Sequence, residues 1–170
     1  MSVLPIQMWP DGCLMETCSR VEPGDDVGQL AQDMLETMYN APGRGLAAPQ
    51  VGVLKRMFVL DCGWKEGAPR PIVCINPEII SFSEETVSGP EQCLSIPNVP
   101  IQVTRPARIF MRWRDLNNTI QARSFEGAEA KCAQHEMDHL DGKVVFDHLT
   151  DEQRRHIEND YLGGAQRERA

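Results

Sequence analysis

Gln134-His135-Glu136-Met137-Asp138-His139-Leu140 decides how this chain is read. An HExxH stretch on a helix sets two imidazoles on one face, one turn apart, with a carboxylate beside the first. The helix is expected from about Gly127 to Asp141, with Gly142 as its C-terminal cap. His135 and His139 then form half of a metal site, and Glu136 stands as its base. A catalytic divalent metal keeps three protein ligands and an open position, whereas a structural site is closed by four. Downstream, His148, Glu152, His156 and Glu158 offer donors, but none belongs to the extended pattern with Gly and His at fixed offsets. Upstream, Glu91-Gln92-Cys93-Leu94-Ser95 follows Gly89-Pro90 and reads as a short rim strand, in which Cys93 is the best third ligand.

Outward from this helix the chain divides simply. Val27, Leu30, Ala31, Met34, Leu35 and Met38 recur at spacings of three and four, which predicts an amphipathic helix from about Asp25 to Tyr39. Asp25 and Asp26 are expected to cap it, and Asn40 to Gly43 to end it before a loop through Gln50. Short apolar or alternating runs follow at 57–62, 71–75, 79–87, 101–103, 107–113 and 119–125 and are read as strands. Gly63, Asn76-Pro77, Gly89-Pro90, Asn98 and Asp115 to Asn118 supply turn chemistry, so the sheets should be mostly antiparallel. A short helix over about 151–161, starting at Thr150 or Asp151, should fray into Gly163-Gly164 and leave a flexible tail. The expectation is one α+β domain over residues 1–170: antiparallel sheets around a central metal-binding helix, with one helix near each end.

Composition narrows the function. With 170 residues, 41% hydrophobic and 25% charged, the chain can bury one core and has no need of a disulfide frame. A net charge of -8 disfavours nucleic acid, and the Arg154-Arg155 and Arg167-Glu168-Arg169 clusters are diluted by acidic neighbours. Residues 1–10 lack a basic region followed by an apolar run, and no apolar stretch reaches the roughly 20 residues a membrane span requires. A cytoplasmic protein with reduced cysteines is expected, with Cys62, Cys74 and Cys132 serving in packing.

Three segments together carry a resemblance. Gly43-Arg44-Gly45-Leu46-Ala47-Ala48-Pro49-Gln50, Glu91-Gln92-Cys93-Leu94-Ser95 and Gln134 to Leu140 resemble, in order and separation, the three motifs of the peptide deformylases. The resemblance runs from about Leu4 to Leu149. It implies Cys93, His135 and His139 as ligands of one divalent metal, ferrous iron in the native protein, with zinc, nickel or cobalt as occupants of purified material. It implies Glu136 as general base and the Gln50 side-chain amide with the Leu94 N–H as oxyanion donors. Arg105 resembles the partner of Asp138 behind the ligands. Substrate contact is expected at Arg44, Gly45, Glu91, Gln92, Ala128, Lys131 and Cys132, and the substrate implied is a formylated nascent polypeptide met at or near the ribosome.

Three features depart from the family pattern, all on the substrate side. Arg44 replaces a hydrophobic residue, Gln92 replaces a glycine, and Ala128-Glu129-Ala130-Lys131 replaces a more apolar run. If the Gln92 position has positive φ, its backbone is strained; if not, only the room beside the substrate changes. Arg44 and Lys131 either line the pocket with their aliphatic stems or mark a different acyl substrate. A related amidase, a zincin endopeptidase and a noncatalytic metal-binding relative are the competing readings. The intact Glu136 and Gln50 speak against the last.

Overall fold

The computed structural model describes residues 2–169, with side chains described to residue 164. Among these residues three α-helices, α1 (Gly28–Asn40), α2 (Gly127–Leu140) and α3 (Asp151–Arg169), and four short 3-10 turns accompany seven strands. These are β1 (Gly45–Ala47), β2 (Met57–Leu60), β3 (Ile72–Phe82), β4 (Thr86–Cys93), β5 (Ile96–Pro106), β6 (Arg108–Arg114) and β7 (Ile120–Glu126). One antiparallel sheet has the order β1-β2-β3-β6-β7, and β4-β5 form a separate antiparallel hairpin. The α+β architecture agrees with the expectation.

Met57 to Leu60 shows why α2 is central. All four residues are buried, and the strand's twofold alternation divides them between two cores. Phe58 and Leu60 pack with Ala130, Ala133 and Leu140 of α2, while Met57 and Val59 pack with Ala31, Met34 and Met38 of α1. The sheet therefore has a helix on each face. A third core joins Trp9, Cys93, Ile96 and Phe146 to Ile157, Tyr161 and Leu162 of α3. Small residues at 130 and 133 let α2 approach the sheet closely, and the resulting burial encloses His135, Glu136 and His139 as well.

The helix ends follow local chemistry. Gly142 has φ +75°, and the Lys143 N–H reaches the Asp138 carbonyl at 2.9 Å, so the expected glycine cap closes α2. Asp26 accepts from the Gly28 N–H at 3.1 Å at the start of α1. Asp25 instead accepts from the Glu22 N–H and pairs with Lys55. Thr150 and Gln153 bond reciprocally, side chain to backbone, at the start of α3.

Several boundaries differ from the sequence reading, among them Asn98, which lies inside β5 with φ +65° rather than in a turn, and residues 45–47, which form β1. Asn76-Pro77 is not a turn between strands but an irregularity within β3: Asn76 has φ +49°, and its amide bonds both ways to the Val21 backbone. The run expected at 79–87 divides at Ser83 to Glu85, where Ser83 Oγ donates to the Glu85 carbonyl. Gly89-Pro90 lies inside β4, because a two-stranded hairpin leaves an outer edge on which a missing N–H is tolerated. The C-terminal helix continues through Gly163-Gly164 to Arg169, past its expected end near Tyr161. Packing of Ile157, Tyr161 and Leu162 on the third core carries it into the glycines despite their cost of about 1 kcal/mol each in a helix. The tail side chains from 165 onward lie outside the described residues.

Candidate metal centre

Cys93 stands at the end of β4, paired across the tight turn with Ile96 of β5, and so faces α2 from a fixed hairpin. His135 and His139 lie one turn apart on α2, ring centroids 5.0 Å from each other. The donor atoms of Cys93, His135 and His139 all fall within 4.8 Å of one another, and Cys93 Sγ is 3.4 Å from His139 Nε2. One thiolate and two imidazoles within such a span fit a tetrahedral or five-coordinate divalent ion. Burial opposes ionisation of Cys93, yet the two neighbouring imidazoles hold its thiol well below the ordinary value. A thiolate in this position could serve a metal ion as a donor. None of the downstream donors His148, Glu152, His156 or Glu158 joins the cluster.

Behind Cys93, His135 and His139 lies a network that the sequence reading only partly anticipated. Glu91 Oε1 accepts from His135 Nδ1 at 3.0 Å, leaving Nε2 for the metal side. Arg105 Nε and Nη2 donate to the two Glu91 oxygens at 2.7 and 2.9 Å, and its Nη1 donates to Asp138 at 3.0 Å. Asp138 also contacts His148 Nε2 at 2.8 Å. Arg105 with Asp138 is therefore no surface pair: Arg105 is only 7% exposed. The missed signal is β5's alternation, in which Ile101, Val103 and Arg105 share the buried face and a buried cation demands a carboxylate. Burial alone would raise the Glu91 carboxyl, but hydrogen bonds from His135 and Arg105 and the guanidinium charge bring it down to about 2.

Glu136 faces the same centre. It is 3% exposed, and its Oε2 has no hydrogen-bond partner among the described residues. Burial pushes its carboxyl above the ordinary range, against the opposing effect of the two histidines. That suits a group that takes and returns a proton near neutral pH. Gly45 makes room for it: a Cβ there would sit 2.7 Å from both Glu136 Oε1 and Cys132 Sγ. This glycine serves close approach. Gln50 is 1% exposed; its Oε1 accepts from the Ala47 N–H at 2.9 Å, and its Nε2 points at Ser95 Oγ, 3.1 Å, and Cys93 Sγ, 3.6 Å. The amide N–H is therefore held beside the ligand cluster.

A cleft of about 760 Å³ opens over these groups. Arg44, Gly45, Gln50, Glu91, Gln92, Cys93, Leu94, Ala128, Lys131, Cys132, His135 and Glu136 all border it, as do Cys62 and Lys65. Glu91 takes a different part from the other pocket residues, because its carboxylate is committed to Arg105 and His135. Gln92 is not among the residues of positive φ, so it narrows the rim without backbone strain. Arg44 pairs with Glu66 at 2.7 Å, and Lys131 Nζ donates to the Pro90 carbonyl at 2.5 Å. Both cations are engaged at the edge.

An antiparallel α+β fold holding an HExxH helix, a hairpin cysteine and a buried carboxylate defines a metallohydrolase class. The polypeptide deformylase family matches residues 3–155, and the chain belongs to it. It is 46% identical over 158 residues to a peptide deformylase of Alkalilimnicola ehrlichii, covering 92% of this chain and 88% of that one. Among solved structures, a peptide deformylase of Ehrlichia chaffeensis superimposes with TM-score 0.91 at 34% identity, covering 99% of this chain and 100% of that one. A peptide deformylase of Synechococcus elongatus in complex with actinonin gives TM-score 0.88 at 36% identity, covering 96% and 89%.

Proposed function

We propose that this chain hydrolyses the N-formyl group of an N-terminal formyl-methionine on newly made polypeptides, releasing formate. The observation that carries the proposal is the convergence of three metal donors with the unpartnered Glu136 oxygen at one cleft. A divalent ion held by Cys93, His135 and His139 supplies Lewis acidity and lowers the pKa of water at the site. Glu136 takes the proton of the attacking water and hands it to the departing amine. Gln50 Nε2 and the Leu94 N–H stabilise the charge that develops on the formyl oxygen. Glu91 orients His135, and Arg105 holds Glu91.

The remaining readings are finer. Ferrous iron is the native ion, and zinc, nickel or cobalt are alternative occupants, in keeping with a borderline donor set. The side chain after the formyl group enters between Arg44, Gly45, Gln92, Ala128, Lys131 and Cys132, where the engaged cations offer their stems as apolar wall. The protein works in the cytoplasm, meeting nascent chains with transient ribosome contact, and takes neither nucleic acid nor membrane as a direct partner. Among the described residues no helix is long and apolar enough to cross a membrane.

The test is formate release from a formyl-Met peptide by protein loaded anaerobically with iron, set beside zinc-loaded protein. Release by both, faster with iron, is expected. Absence of release by either would overturn the function, and faster release with zinc would overturn the metal assignment.

A further inference from the structure

Cys62 has no part in the function proposed above and Cys132 serves there only as pocket wall, yet both border the substrate cleft. Cys62 follows β2 by two residues, and β2 packs on α2 through Phe58 and Leu60, which brings the strand's end against the helix carrying Cys132. Cys62 Sγ lies 4.0 Å from the Ala128 carbonyl, one helical turn before Cys132. The two thiols are close enough for each to shift the other's ionisation. Neither is fully buried, whereas Cys18, Cys74 and Cys93 are.

We propose that Cys62 and Cys132 are a reversible oxidation site, forming a disulfide in the cleft wall when the protein meets a peroxide. With Cys62 Sγ against the turn of α2 that precedes Cys132, a small side-chain movement brings the sulfurs to the S–S bond length of about 2.0 Å. The neighbouring Cys132 draws the Cys62 thiol below its ordinary pKa, outweighing its burial, which makes Cys62 the attacking sulfur. Its thiolate attacks one peroxide oxygen: an S–O bond forms, the O–O bond breaks, and hydroxide leaves and takes up a proton. Cys132 sulfur then displaces the second oxygen as water while its own proton is lost. Two thiols and one hydrogen peroxide give one disulfide and two waters. The bond ties the end of β2 to α2 beside Gly45, where an added Cβ would lie 2.7 Å from Cys132 Sγ, and it uses none of Cys93, His135 and His139.

The experiment uses zinc-loaded protein, since zinc has no redox chemistry of its own. After hydrogen peroxide treatment and alkylation of free thiols, a non-reducing digest is read by mass spectrometry. A cross-linked Cys62 and Cys132 peptide pair that dithiothreitol separates, with zinc content unchanged, is expected. In Cys62→Ser and in Cys132→Ser the pair must be absent. The proposal is overturned if the wild type shows both cysteines alkylated, each oxidised separately to the sulfinic acid, or either one joined to a different cysteine.

Discussion

Glu91 Oε1 and His135 Nδ1 lie 3.0 Å apart, and the same carboxylate is gripped by two nitrogens of Arg105. This relationship fixes the imidazole's tautomer and aims its other nitrogen at the metal side. Glu91→Gln keeps the volume but gives up the charge, and metal affinity should fall about 10- to 100-fold, as for other partners behind metal ligands. Competitive chelator titration measures it; unchanged affinity would remove Glu91 from the site's support.

The same carboxyl sets an acid limit on stability. Its folded pKa of about 2 lies below the ordinary 4.5, so ionised Glu91 favours the folded state. That contribution is fully present above pH 4.5 and is lost as pH falls through 4.5 to about 2. In metal-free protein, urea midpoints across this window should fall less steeply for Glu91→Gln than for wild type. Parallel slopes would contradict the assignment.

Metal content tests the ligand set. Cys93→Ser and His139→Ala should each lose most bound metal while remaining folded, because a hydroxyl or methyl group cannot replace these donors. Elemental analysis with circular dichroism decides it, and full occupancy in His139→Ala would sink the site.

The helix carrying His135, Glu136 and His139, and its meeting with Cys93, were legible in sequence because helical spacing fixes relative side-chain positions within α2 and because three short motifs coincide. The strands' inner logic was less so. Asn76-Pro77 carries turn chemistry, but the Asn76 side chain spends it on the Val21 backbone, a contact between residues far apart in the chain. Residues 45–47 read as loop because glycine-rich local sequence conceals a three-residue strand that exists through its pairing with β2. The motif alone points to Glu91 as a substrate contact, and only the β5 register shows that Arg105 is buried beside it.

Oxyanion stabilisation should appear in Gln50→Ala as a loss in kcat of roughly 2 to 4 kcal/mol of transition-state stabilisation. Metal content should stay near that of wild type. Since the Gln50 amide also holds Ala47 and Ser95, circular dichroism accompanies the kinetics. Wild-type turnover would remove Gln50 from the chemistry.

Substrate preference follows from the engaged cations. With Arg44 paired to Glu66 and Lys131 bonded to the Pro90 carbonyl, formyl-Met peptides should exceed formyl-Glu and formyl-Asp peptides in kcat/KM. Arg44→Ile should move that ratio by no more than about tenfold, near 1.4 kcal/mol. A wild-type preference for the acidic peptide, reversed by Arg44→Ile, would assign the chain a different substrate.

The most direct measurement compares formate release from a formyl-Met peptide by wild type and Glu136→Gln, each loaded anaerobically with iron to the same measured occupancy. Wild type should release formate, and the variant should do so at least about a hundredfold more slowly, the loss expected for a general base. Equal release at equal metal occupancy, or none by the wild type, would contradict a metal-dependent deformylase in which Glu136 moves the proton.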